Sequence, residues 1–289
     1  MIVQFLDVAV AGLLLGGIYA LISVGLSLQY GVARVLNIAH GEFMMLGALT
    51  TWSLNTAFGL NPLVCMALCG PIAFGLGYGL DRIVFKRLRT TSPSLAVFEG
   101  NSMLASFGIL FIIQNLASIV WGTEIKAYTF MTYPVSVFGA LFAANRLVTL
   151  AFAVVIGIVF YLFLVRTRLG KAIRAAAQDP RSAALMGINI NQVLAVCFGF
   201  GTLMAGLAGL LVSMSYPVHT TMGLEYTIIT IIVVVLGGLG NIPGSFIGGF
   251  ILGLIGSIVT KIEPGLSLAA YYLLFMLLLW IKPTGLMGK

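Results

Sequence analysis

The sequence predicts an all-α, polytopic integral membrane protein, a single transmembrane domain of eight to nine spanning helices with one long polar loop. Three observations carry this. Of 289 residues, 60% are hydrophobic and only 8% are charged, against roughly 25% charged in an average soluble domain. The apolar residues fall in blocks of roughly 17–25, the length that crosses a ~30 Å hydrocarbon core as helix. The short alternating segments that build a transmembrane β-barrel are absent.

The expected spans are residues 8–29, 35–57, 62–80, 102–121, 147–165, 193–216, 226–239, 245–260 and 268–281. The seventh and eighth are short for a bilayer, so they read either as two spans or as parts of one broken, re-entrant element. The N-terminal stretch has no basic region and no small-residue cleavage site, which points to a retained first span over a cleaved signal peptide. Cys65, Cys69 and Cys197 all fall inside apolar spans. Without metal or disulfide spacing they read as packing residues.

Orientation follows from the basic residues, because basic loops resist translocation. Nine spans with the N-terminus outside place Arg34, Arg82, Lys86, Arg87, Arg89, Arg166, Arg168, Lys171, Arg174, Arg181, Lys282 and Lys289 in the cytoplasm, and Lys126, Arg146 and Lys261 outside. That is 12 of the 15 basic residues on one side. The net charge of +7 then reads as an orientation signal, and it gives no reason to expect nucleic acid.

Thirty-five glycines suggest closely approaching helices. Gly75–Gly79, Gly244–Gly248 and Gly249–Gly253 are small-xxx-small pairs, which bring backbones together where lipid supplies no hydrophobic drive. Two stretches look alike: Asn37-Ile-Ala-His-Gly-Glu-Phe43 and Asn241-Ile-Pro-Gly-Ser-Phe246. A parallel repeat with broken helices and a merely shared turn chemistry both account for the likeness.

The long loop, residues 166–192, begins with an Ala-rich, helix-favouring stretch at 170–177. Asp179 then suits an N-cap, Pro180 the first helical position, and Gly187 a left-handed C-terminal turn. The spacing predicts a short helix over 180–186 in which Ala183, Ala184, Leu185 and Met186 are apolar without an evident core to cover. Two readings stand: a helix seated in a groove on a partner protein, or an amphipathic helix lying on the headgroups beside Arg174 and Arg181.

The chain carries no phosphate-binding loop. Gly170-Lys171 is followed by Ala172, and the Gly75-Leu-Gly-Tyr-Gly79 run sits within an apolar span, without the strand and helix that a dinucleotide fingerprint requires. ATP-driven transport therefore requires ATPase subunits separate from this chain. No catalytic triad or metal-ligand spacing is visible, so neither enzyme chemistry, a cofactor nor a metal is expected.

Four segments carry a family resemblance: Val35-Leu-Asn-Ile-Ala-His-Gly-Glu42; Gly170-Lys-Ala-Ile-Arg-Ala with Asp179 and Gly187-Ile-Asn189; Leu236-Gly-Gly-Leu-Gly-Asn-Ile-Pro-Gly-Ser245; and Lys282-Pro-Thr-Gly-Leu-Met-Gly288. In order and spacing, over essentially the whole chain, they resemble the permease subunits of bacterial branched-chain amino acid ABC importers. The resemblance implies an inner-membrane complex of this permease, a sibling permease, two cytoplasmic ATPase subunits that bind the ATP, and a periplasmic substrate-binding protein. It also implies that Pro180 to Gly187, with Arg181 on its first turn, is a coupling helix inserted into an ATPase cleft. Cargo in such a family ranges from branched-chain and other small neutral amino acids to urea and short amides.

Ionisable groups within a span cost roughly 2.5–3.5 kcal/mol at its centre, so they turn toward protein or water. Asn37, His40 and Glu42, at the start of the second span, are candidates for a gate or exit path. They equally suit a polar knot that satisfies the helix start, with Arg34 neutralising Glu42. Gln114 and Asn115 in the fourth span are candidates for interhelical hydrogen bonds or for pathway lining. Asn241 is a further candidate near the pathway, Thr227 and Thr230 suit bonds to their own helix, and His219, Glu225, Glu124 and Lys126 suit an external partner. A stand-alone secondary transporter is the competing class. It calls for coupling-ion carboxylates deep in the spans, and Glu42 is the only acid inside one.

Overall fold

The first helix, α1 (Ile2–Ala33), is the axis around which the rest of the chain is built. The computed structural model describes residues 2–137, 140–282 and 284–288; Pro283 and Lys289, which enter the C-terminal motif and the charge count, lie outside the described residues. Eleven further helices are described: α2 (His40–Phe58), α3 (Pro62–Leu80), α4 (Lys86–Thr91), α5 (Leu95–Trp121), α6 (Ala144–Arg166), α7 (Arg168–Gln178), α8 (Pro180–Leu185), α9 (Ile190–Ser213), α10 (Met222–Gly237), α11 (Ile242–Ile262) and α12 (Ser267–Ile281). A wide turn, Asp81–Phe85, joins α3 to α4 without breaking the rod. Strands β1 (Pro134–Val137) and β2 (Ala140–Ala143) pair antiparallel ahead of α6.

Each of the nine expected spans corresponds to a helix. Seven are long and apolar enough to cross a bilayer. The other two are α10, a shorter apolar helix of 16 residues, and α2, whose 19 residues include His40, Glu42 and three threonines. The eighth expected span is no fragment, since α11 runs for 21 residues. The second span differs most. A helix is expected from residue 35, yet residues 34–39 are not helical and α2 begins only at His40.

Close approach of backbones explains why α1 sits at the centre. Gly12 packs on Leu254, Gly16 on Phe250 and Ala20 on Gly249, so α1 and α11 run antiparallel. A Cβ at Gly16 would stand 2.7 Å from the Phe250 Cα, and one at Gly253 would strike the Gly16 backbone. On its other side α1 meets α9, where Gly25 lies against Gly201 and the Gln29 amide donates to the Phe198 carbonyl at 3.1 Å. Thr202 of α9 donates to the Ala73 carbonyl of α3 at 2.9 Å. Of the expected glycine pairs, Gly249–Gly253 and Gly244–Gly248 face neighbours, whereas among the described residues no neighbouring helix approaches Gly75 or Gly79. The three cysteines are buried and free.

This packing leaves an asymmetric bundle. Helices α1, α2, α9 and α10 are largely buried, while α5, α6 and α12 present long apolar faces that this chain does not cover. Helices α7 and α8 project from one end, called here the basic end because Arg166, Arg168, Lys171, Arg174 and Arg181 cluster there.

Candidate functional site

Two features stand out from the bundle: the short helix at the basic end and the interrupted second span. The turn into α7 is sharp. Thr167 caps it, accepting from the Gly170 N–H at 3.0 Å and donating to the Phe163 carbonyl at 2.8 Å. A side chain at Gly170 would strike the Leu164 carbonyl. Helix α7 seats Gly170, Ile173 and Ala176 against the chain, a spacing of three that gives one buried face. It turns Lys171 and Arg174 outward.

Asp179 ends α7 and begins α8. Its carboxylate accepts from the Arg181 N–H at 2.9 Å and from the Ser182 hydroxyl. These bonds, the Ser182 hydroxyl foremost, hold its pKa below the usual carboxylate value, so the cap is charged at neutral pH. Pro180 takes the first helical position. The helix closes at Leu185, one residue earlier than expected, with Met186 as its C-cap and Gly187 in the left-handed region at φ +82°. The Gly187 and Ile188 N–H groups return to the Ala184 and Ala183 carbonyls. Asn189 then caps α9 through the Gln192 N–H at 3.1 Å. One expectation is corrected here: Ala183 is 5% exposed and packs inward. The uncovered pair is Leu185 at 88% and Met186 at 83%.

The second feature lies inside the bundle. Arg34 takes φ +55° and ends α1, after which residues 35–37 are irregular, residues 38–39 form a turn, and the stretch is largely buried. Ser106, near the middle of α5, accepts from the Ile38 N–H at 3.0 Å, and the His40 Nε2 donates to the carbonyl of Ile22 in α1 at 3.0 Å. The chain thus re-enters the bundle before α2 starts. Non-helical backbone at such depth is tolerated where protein satisfies its polar groups. Asn37 does part of that, accepting from the Ala39 N–H and donating to Gln29 Oε1. Thr227 of α10 accepts from the Gly41 N–H at 2.8 Å instead of bonding to its own helix; Thr230 does bond back, to the Tyr226 carbonyl.

Glu42 packs against Gly223 in the first turn of α10, fully buried, with no hydrogen-bond partner at either oxygen. The expected Arg34–Glu42 neutralisation is not made. The ion pair found among the described residues is Arg89–Asp81 at 3.0 Å, and Arg34 instead lies over the Tyr30 ring. The His40 Nδ1 and the hydroxyls of Ser23, Ser27 and Ser102 are likewise buried without partners. The sequence points to Asn37, His40 and Glu42, assigns Thr227 to its own helix where the structure gives it the Gly41 N–H, and does not mark Gln29 or Ser106. All three lie on other helices, so their role at this break depends on tertiary packing.

The remaining candidates separate. Asn115 is exposed and donates to the Phe111 carbonyl of its own helix at 2.8 Å, and the half-buried Gln114 side chain makes no interhelical hydrogen bond among the described residues. Asn101 and Asn115 are exposed and lie seven residues either side of Gly108, which none of the described residues outside its own helix approaches, so all three share one face of α5. Asn241 is the N-cap of α11, accepting from the Gly244 N–H at 3.0 Å, and it ties down the C-terminal segment through the Met287 carbonyl at 2.7 Å. Asn37 differs: it is buried, and its side chain accepts from the Ala39 N–H two residues on without capping α2. At the opposite end, Lys126 pairs with Val218 and lies 4.4 Å from the centre of the Trp52 ring, and His219 bonds Thr221 at 2.9 Å. Among the described residues, no group of three or more His, Cys, Asp or Glu is placed to hold a metal ion.

Comparison with known proteins fits this geometry to a family. Residues 8–281 match the family model described as the branched-chain amino acid transport system permease component. The high-affinity branched-chain amino acid transport system permease protein BraD of Pseudomonas aeruginosa is 30% identical over 100% of this chain and 97% of its own length. The corresponding LivH of Escherichia coli is 30% identical over 99% and 96%. A second permease of that type, E. coli LivM, is 23% identical over 93% of this chain and 68% of its own. This chain is a non-catalytic, multi-pass membrane protein and belongs to the family of branched-chain amino acid transport system permease components.

Proposed function

We propose that this chain is one of two permeases in an ATP-driven importer of branched-chain or other small neutral amino acids, seated in the inner membrane with its N-terminus outside and its C-terminus and basic end in the cytoplasm. Helix α8 is the coupling element. The observation that carries this is the exposed apolar pair Leu185–Met186, held on a one-and-a-half-turn helix whose two ends are fixed by Asp179 and Gly187. A flexible loop would absorb a push from a partner; a capped helix packed through Ala183 and joined to α7 and α9 transmits it. Pro180, Arg181 and Ala184 complete the surface offered to an ATPase subunit, which binds the nucleotide.

The interior break supplies the gate. Glu42 has two acceptor oxygens without donors, and a neutral amino acid brings an ammonium group that matches them. Asn37 and His40 flank the same break, sealed in this conformation. The uncovered α5 face with Asn101, Gly108 and Asn115, beside Gln114, fits lining contributed to a pathway shared with the sibling permease, since exposed asparagines are costly against lipid. Asn241 fastens the α11 end of that path. A binding protein delivers the cargo from outside.

The test is uptake by the reconstituted complex. Transport is expected to need ATP and the binding protein and to survive a proton uncoupler. ATP-independent uptake by this chain alone would overturn the reading in favour of a secondary transporter.

A further inference from the structure

A furrow runs between α6 and α11, over α1, and no helix among the described residues covers it. Its inner part is an apolar cavity of about 240 Å³ walled by Val24, Gly157, Ile158, Phe160, Phe246 and Ile247. It shares Tyr161, Ile242 and Pro243 with a second cavity of about 600 Å³ at the basic end. The wall of that second cavity includes Ser27, Arg174 and Gln178. The shape has a simple origin. Gly157 leaves room for the Phe246 ring to lie against α6, and the asparagine cap with Pro243 starts α11 at this level, so the two helices part below it. From Arg166 to Gly157 the furrow reaches roughly 14 Å along α6 at ~1.5 Å per residue. Its mouth is polar and basic, and its depth is apolar.

We propose that this furrow binds one anionic phospholipid of the leaflet at the basic end, with an acyl chain between α6 and α11 and the phosphate group at Arg174. The charge pattern selects that occupant. Residues 166–178 carry Arg166, Arg168, Lys171 and Arg174 with no acid, and none of the four is in an ion pair among the described residues. One guanidinium N–H of Arg174 donates to the Val165 carbonyl at 3.3 Å. This fixes the side chain at the mouth and leaves further N–H groups for a phosphate oxygen. Because Ile173, Arg174 and Gln178 belong to α7, the bound lipid braces the arm that carries α8.

The test is native mass spectrometry of the full-length chain in neutral detergent, with palmitoyl-oleoyl phosphatidylglycerol or phosphatidylcholine added. Retention of one phosphatidylglycerol in preference to phosphatidylcholine is expected. Arg174→Gln weakens that retention about fivefold, the effect of one basic residue at an anionic surface. Ile158→Trp fills the apolar part and abolishes it; Ile247→Trp on the opposite wall reads the same space should the first variant fail to fold. Arg87→Gln, an exposed base on α4, leaves retention unchanged. Equal retention of both lipids, or an Arg174→Gln variant that holds phosphatidylglycerol as well as the parent, overturns the proposal. Cross-linking of Ile158→Cys to the sibling permease in the assembled complex also overturns it, by making the furrow a subunit interface. The readout needs no transport, so its failure is distinct from failure of the importer reading.

Discussion

Glu42 and Asp179 are acids of opposite character. Asp179 is exposed and does a local job that any good cap performs, so its charge is dispensable and its acceptor is not. Asp179→Asn is expected to keep ATP-dependent uptake near the parent level, whereas Asp179→Ala and Gly187→Val lose most of it while membrane insertion persists. Transport by Asp179→Ala at the parent rate would remove α8 from the coupling role. The pH dependence follows the same bonds. A carboxylate with a depressed pKa contributes its cap above the ordinary aspartate value and loses it only as pH falls through the lower folded value. The Asp179 cap is therefore expected to be constant between pH 5 and 8, readable as unchanged protease sensitivity of the 166–192 loop. Glu42, by contrast, stabilises nothing visible, since neither oxygen has a partner. Glu42→Gln is expected to leave thermal unfolding in detergent within a degree or two of the parent and to lower uptake at least tenfold. Equal uptake by the two proteins would make Glu42 a packing residue.

At the scale of elements, the instructive case is the second span. Its sequence reads as a span from residue 35, because Val35, Leu36, Ile38 and Ala39 are apolar and no proline interrupts them, with Asn37 the polar residue among them. The non-helical path is chosen by partners that lie far along the chain, Ser106 at the Ile38 N–H and Ile22 at His40. Local propensity is weak beside a satisfied backbone inside a membrane protein. Helix α8 is the opposite case. Asp179, Pro180 and Gly187 are local signals acting within a few residues, and the helix appears where they put it, shortened by one residue. Helix α5 makes its own prediction. Single cysteines at Asn101, Gly108 and Asn115 are expected to react with a membrane-permeant thiol reagent in the isolated chain. In the two-permease complex they become protected or cross-linked. Equal reactivity in both settings would leave that face to lipid.

For the whole molecule, cohesion between α1 and α11 comes from backbone approach, since hydrocarbon offers no hydrophobic gain for helix association. Gly253→Leu, at the point where α11 rests on Gly16, is expected to cost about 1–3 kcal/mol by overpacking, seen as a lower unfolding temperature in detergent. The same substitution at Gly75, which no neighbouring helix among the described residues approaches, is expected to be near neutral. Composition and apolar block length by themselves determined a helical membrane protein and located its spans, because bilayer thickness and backbone hydrogen bonding act on every segment alike. Capping residues likewise determined the short helix. Only the tertiary structure decided which glycines are contacts, that Ala183 faces inward, that Arg34 leaves Glu42 unpaired, and that the second span enters the bundle as non-helical chain. Each of those outcomes depends on which distant helix stands opposite, and in a sequence this uniformly apolar the pattern of hydrophobicity does not encode who faces whom.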